Sequence, residues 1–310
     1  MQTATSQSSD YLSLVGKVCV YETGLFDRGV FHRLIDSGSL LKFTKELSDT
    51  KYRRAVESMK EGNHFISACK GYIYAQYFHF RSKLHDSKFL DIFMLENDIS
   101  NFVNFARGAE CNESYCRGIS GINWAEAENL EGFFRDAAEN LSKIEPAAAL
   151  EDFSYSLVEK VCMDMVTDRF LENISSRAIK AYRRYYIDTK NLLTKANNPE
   201  GEIYLKGGNF EPGYWESVDI AGGIPRRLKL QPYMKNIRSS KDRTLWEPEI
   251  RRFLSGFLKD MRKNTFGPEA IIAYILTLTE EVTNLNLIYT GLGMGLEKDI
   301  MKENLNLSYV

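Results

Sequence analysis

Apolar residues return at helical spacing along most of the chain, and the strict alternation of a half-buried strand is scarce. Phe89, Phe93, Ile99, Phe102 and Ala106 share one face of a predicted helix that stops at Gly108. Leu157, Val158, Val161, Cys162, Met165 and Val166 form a second stripe. Asn173, Ser175 and Ser176 interrupt it, and a Tyr-rich helix follows from Ala178 to Lys195. Phe253, Leu254, Phe257, Leu258 and Met261 make another stripe. The last long helix opens at Pro268, whose fixed φ suits a first turn. It carries Ile271, Ile275, Leu278, Val282, Leu285 and Tyr289 and stops at the glycines 291, 293 and 295. Tyr11 to Leu47 reads as two or three helices. Gly201 to Tyr233, rich in Gly and Pro, reads as an irregular connector with short helices.

One short signature occurs three times within these helices. It is an acid, two residues, Asn and an apolar residue: Asp98 to Phe102, Asp188 to Leu192, and Glu281 to Leu285. The copies are 90 and 93 residues apart, each near the end of a long helix. A single match means nothing, but three at near-constant spacing point to internal duplication. The expected architecture is all-α, with a flexible tail over 1–10 and helical units over 11–110, 111–200 and 201–310.

An acid and an Asn three residues apart lie side by side on one helix face. Asp98 with Asn101, Asp188 with Asn191, and Glu281 with Asn284 are therefore candidate polar joints. They would hydrogen-bond a neighbouring helix end or backbone and fix how units dock, or else face a shared axis. No nucleophile or metal ligand travels with the signature, so it carries no catalytic expectation.

Composition adds little until charge is located. The net charge is −2, which gives no reason to expect nucleic acid as a partner. Acids gather between Asp91 and Lys160, and bases between Arg226 and Lys263. Arg226, Arg227, Arg238, Arg243, Arg251 and Arg252 are candidate partner-docking residues. The five cysteines form no CxxC pair, so neither a disulfide framework nor a zinc site is expected. In a reducing cytoplasm, the four Asn-x-Ser sequons would be chance matches. No signal peptide is visible, and the longest apolar run, Ala270 to Leu278, is too short for a span of about 20 residues.

Motifs for chemistry are missing or misplaced. The four histidines form no HxxxH pair. The glycines 291, 293 and 295 follow a helix, whereas a phosphate loop follows a strand and opens a helix. There is no GxxxxGK[ST] and no DDxxD, and the aromatic clusters at Tyr72 to Phe80 and Tyr182 to Tyr186 fit helix packing. The chain is read as non-catalytic, with no cofactor.

The segment Phe266 to Leu276, followed by Glu281 to Leu285 and Ile288 to Leu296, resembles the C-terminal signature of the C subunits of prokaryotic V/A-type ATPases, whose eukaryotic V-ATPase counterparts are the d subunits. Tyr185 to Lys195 is similar to the middle signature of that family, and Phe89 to Gly108 fits as its first copy. The resemblance implies three helical units about a pseudo-threefold axis, a funnel with a central pocket. It implies a peripheral, cytoplasmic place on the membrane proteolipid ring. The partners it implies are the D and F subunits of the rotor shaft and that ring, with the membrane stator subunit as a further candidate. An all-helical scaffold outside an ATPase is the alternative, disfavoured because such repeats run near 30 to 50 residues.

Overall fold

The computed structural model describes residues 3–60, 64–84, 89–90, 160, 163–164, 167, 174–199, 204–221, 223–224, 246–264 and 267–309. Ten α-helices and no strands occur among them. The chain divides into two compact units. The first holds both ends of the chain: Met1–Asp86, Leu230–Ile237 and Thr244–Val310. The second is Ser87–Lys229 with Arg238–Arg243.

The first unit is built around one helix. α1 is Thr3–Glu22, α2 Arg28–Asp36, α3 Leu40–Leu47, α4 Arg53–Lys60 and α5 Phe65–Arg81. In the C-terminal part of this unit, α8 is Trp246–Met261, α9 Glu269–Met294 and α10 Lys298–Glu303. α9 packs against α1, α2, α3, α5, α8 and α10. Ile271, Ile272, Ala273, Tyr274, Ile275, Leu278, Val282, Leu285 and Ile288 are all buried, so the helix is apolar nearly all round. Each large apolar side chain among them contributes about 1.5–3 kcal/mol of burial.

Aromatic rings fill the seams around α9. Phe65 stacks on Tyr289 at 4.4 Å, and Phe80 meets Tyr274 edge-on at 6.0 Å. Tyr77 and Phe80 of the aromatic run are buried, as helix packing requires. α9 is also long and apolar enough to cross a membrane, but 67% of its apolar window is buried inside the protein.

Caps set the helix boundaries. Asp27, Ser39 and Ser176 each accept a backbone N–H three residues on, at 2.9, 3.4 and 3.2 Å. Pro268 stands at the N-cap of α9, one residue before the helix begins. The expected stop at the glycine run is narrower than the sequence suggests. The helix continues through Gly291 and Gly293 and ends at Gly295, which is left-handed at φ 70°. There Leu296 N–H reaches back to the Gly291 carbonyl at 2.9 Å, closing the turn. Gly291 has another use, since a Cβ there would lie 2.5 Å from Met301 Sδ. It lets α10 lie close against α9.

α1 is helical from Thr3 and so takes in most of the segment 1–10 expected as a tail. No Gly or Pro occurs between Thr3 and Val15. Once Leu14, Val15 and Val18 are packed, extending the helix backwards adds one hydrogen bond per residue fixed.

In the second unit, α6 is Arg177–Asn197 and α7 is Pro212–Ser217. Ile179, Tyr182, Ile187 and Leu192 on α6 are buried, as is Trp215 on α7. The connector expected after Gly201 is irregular over 204–211 and then helical in α7. The stripe from Phe93 to Ala106 lies outside the described residues, as do Leu157, Val158, Val161, Cys162, Met165 and Val166 of the second stripe. The boundaries at 110/111 and 200/201 lie outside them too.

Candidate functional site

The second and third signature copies sit at buried polar joints. Asp188 and Asn191 face away from solvent on α6, at 0% and 1% exposure. Glu281 and Asn284 on α9 are both at 0%. Asp98 and Asn101 lie outside the described residues.

The two asparagines do the same job. Asn191 donates to the Leu205 carbonyl at 2.9 Å and accepts the Leu205 N–H at 2.8 Å. Asn284 donates to the Asn306 carbonyl at 2.8 Å and accepts the Asn306 N–H at 3.0 Å. A side-chain amide thus takes the place of a strand partner. It satisfies both backbone groups of one residue in the segment that returns after its own helix. Among side chains in their usual state at neutral pH, the amides of Asn and Gln offer a donor and an acceptor side by side in this way.

The two acids differ in reach. Asp188 accepts the Asn209 N–H at 3.0 Å, the Phe210 N–H at 3.3 Å and the Asn209 side-chain amide at 2.7 Å. It therefore pins the same returning loop as Asn191. Glu281, one methylene longer, turns to the N-terminal segment instead. It accepts the Phe26 N–H at 2.6 Å and the Tyr52 hydroxyl at 2.7 Å, and pairs with Lys51 at 2.6 Å. Lys51 Nζ also donates to the Gly24 carbonyl at 2.8 Å and lies among the rings of Phe26, Tyr52 and Tyr72. Burial lowers the Lys51 pKa despite the carboxylate beside it. Burial, with the same carboxylate, drives the Tyr52 hydroxyl well up.

A further network extends the third joint. The Asn306 amide donates to Ser255 Oγ at 2.7 Å and to Glu280 at 2.8 Å, and Glu280 holds Arg251 at 3.0 Å. The sequon at Asn306 is accordingly buried and spent on internal bonds. Of the candidate docking arginines, Arg251 is half-buried in this ion pair. Arg252 bonds Glu249 and reaches the Glu303 carbonyl at 3.4 Å. Arg226, Arg227, Arg238 and Arg243 lie outside the described residues.

Sequence reasoning missed Lys51, Tyr52, Ser255 and Asp164. Asp164 accepts the Lys206 N–H at 2.7 Å and pairs with Lys160 at 2.9 Å. Their partners are mostly backbone groups or distant side chains, which leave no local spacing to read. Chemistry is sparse by contrast. No cluster of His, Cys, Asp and Glu suited to a metal occurs among the described residues. Burial pushes the Cys69 thiol up to about 12, so it is no nucleophile at neutral pH.

Such joints, repeated on two long helices and serving structure rather than catalysis, agree with the family that the sequence matches. The family model described as the ATP synthase (C/AC39) subunit matches residues 14–304. The chain belongs to that family. C/AC39 proteins are structural subunits of the membrane-associated V/A-type rotary ATPases, and the all-helical fold fits them. No curated protein matches the chain.

Asp188 makes this C/AC39 protein sensitive to pH in a defined direction. Burial outweighs its hydrogen bonds and pushes its pKa up from 3.8 to about 6. The folded state then binds more protons than the unfolded chain between those values. This group's contribution is full below about pH 4 and is lost as the pH rises through about 6. In Asp188→Asn the Asn209 amide can turn over to present its oxygen. The expected result is that the urea midpoint of the variant loses the fall that the wild type shows between about pH 4 and 6. An identical slope in both proteins would refute it.

Proposed function

We propose that this chain is a non-catalytic adapter in the central stalk of a rotary V/A-type ATPase. It joins the rotor shaft, made of the D and F subunits, to the membrane proteolipid ring, so that ATP hydrolysis or synthesis is linked to ion transport. It sits peripherally on the cytoplasmic face of the membrane within that complex.

The observation that carries the reading is the pair of matched joints, above all the one at Glu281. An adapter between a ring and a shaft must transmit torque without internal slip. Well-packed helices are stiff, and buried, fully bonded polar groups fix their register. Glu281 ties the last long helix to the segment between Gly24 and Tyr52. An open repeat array joins each unit only to its neighbours. Contact between the first and last parts of the chain, within one compact unit, supports a stiff body rather than an open array. It also speaks against the scaffold alternative.

Assembly tests the reading. The tagged chain, expressed with its host's rotary ATPase, is expected to copurify with the shaft subunits and the ring. Arg226→Glu with Arg227→Glu is expected to weaken that capture about tenfold or more, with unchanged thermal unfolding. Wild-type protein that ignores shaft and ring subunits sinks the assignment. Undiminished capture by the double variant removes those two arginines from the docking surface.

A further inference from the structure

We propose that the first unit carries a binding recess for a small phosphoryl anion. The recess, of about 450 Å³, lies between the start of α2, the side of α8 and the segment from Lys302 to Ser308. That volume suits a small ligand. Arg28, His32, Arg252 and Lys302 bring three cations and an imidazole to its wall beside the Glu303 carboxylate, with Asp36 paired to Lys302 and Glu249 to Arg252 just outside it. All of these residues belong to the same compact unit.

What matters is how much donor capacity remains unused. Lys302 pairs with Asp36 at 2.9 Å. Arg252 uses one terminal nitrogen on Glu249, while the other reaches only the Glu303 carbonyl, at a long 3.4 Å. Arg28, exposed in the first turn of α2, has no partner among the described residues. The His32 ring and the Ser308 hydroxyl make no hydrogen bond there either. The unpaired Arg28 guanidinium, the remaining N–H groups of Arg252, a hydroxyl and an imidazole therefore line one cavity.

The geometry favours a phosphoryl group over a lone carboxylate. A carboxylate has two oxygens and fills the Arg28 fork, which leaves the hydroxyl and the remaining Arg252 N–H groups without a partner. A phosphoryl group presents three or more acceptor oxygens and up to two charges, enough to engage both. Partly exposed Leu307 in the lining leaves an apolar surface for the carbon part of a phosphate monoester. The same chemistry could arrive as a free ester or as a lipid headgroup. The inference stands on the first unit alone and does not depend on the adapter reading.

The test uses the full chain and titrates inorganic phosphate and glycerol phosphate, followed by calorimetry, with chloride at matched ionic strength as the control. One saturable site is expected, at least about tenfold weaker in Arg28→Gln, whose unfolding temperature without phosphate should match the wild type. Vesicles of phosphatidic acid and phosphatidylcholine separate the sources. Retention on the former that requires Arg28 assigns a lipid headgroup. Binding of the soluble ester without such retention assigns a free one. No saturable phosphate binding, equal binding by Arg28→Gln, or equal displacement by chloride overturns the proposal.

Discussion

Glu281→Ala is expected to destabilise the first unit by about 3–5 kcal/mol, because it leaves a buried ammonium without its counter-charge. Three groups lose their acceptor at once: Lys51 Nζ, the Tyr52 hydroxyl and the Phe26 N–H. The Tyr52 hydroxyl and the Phe26 N–H are buried beside a cluster of rings, where water cannot easily replace the carboxylate. Tyr52→Phe removes one neutral donor to a charged acceptor and should cost only about 1.5–3 kcal/mol. Urea unfolding of the purified chain reads both.

The sharper outcome concerns the pair. Glu281→Gln alone keeps the shape but strands Lys51. Combined with Lys51→Met, it makes the joint neutral. The glutamine oxygen can then take the Phe26 N–H while its amide faces the Tyr52 hydroxyl, which accepts as readily as it donates. The double variant should therefore recover at least half of the loss seen in Glu281→Gln. Strict additivity of the two changes would show that the ion pair does not hold α9 to the N-terminal segment.

Most helices were legible because their apolar stripes repeat at helical spacing and because Pro268, Gly295 and Ser176 punctuate them. The acid–Asn signature was legible as a pattern, since three copies recur at similar intervals. Its partners were not. Asn191 and Asn284 hold backbone groups 14 and 22 residues away, and a backbone N–H looks the same in every sequence. Tyr52 meets Glu281 across 229 residues, with Lys51 beside it, a distance that only the packing of α9 closes. Gly291 read as a stop because glycine ends helices, whereas its missing side chain makes room for Met301 inside the helix. The polar start of α1 offers no apolar stripe to read. Ser and Thr are mediocre helix formers, but they continue a helix that packing has already nucleated.

Gly208→Ala is expected to cost about 2–4 kcal/mol, the sum of an overpacked contact and the hydrogen bonds that it displaces. A Cβ at position 208 would overlap Asp188 Oδ1 and stand 3.3 Å from Ile187. A flexible neighbour could yield, as the Met301 side chain could at Gly291. The Asp188 carboxylate cannot, because it is buried and holds Asn209 and Phe210 by their N–H groups. Moving it releases the loop from 204 to 211, which Asn191 also grips. Amide exchange should report the event locally, through lost protection at Leu205, Asn209 and Phe210. Asp188→Ala removes the atom in the way, so Gly208→Ala should cost less in that background, by at least about 1 kcal/mol. Equal cost in both backgrounds would mean that the glycine is required for the backbone of the loop alone. A steric origin instead makes Gly208 part of the joint itself: the second signature needs an acid on the helix and a residue without a side chain in the loop it holds.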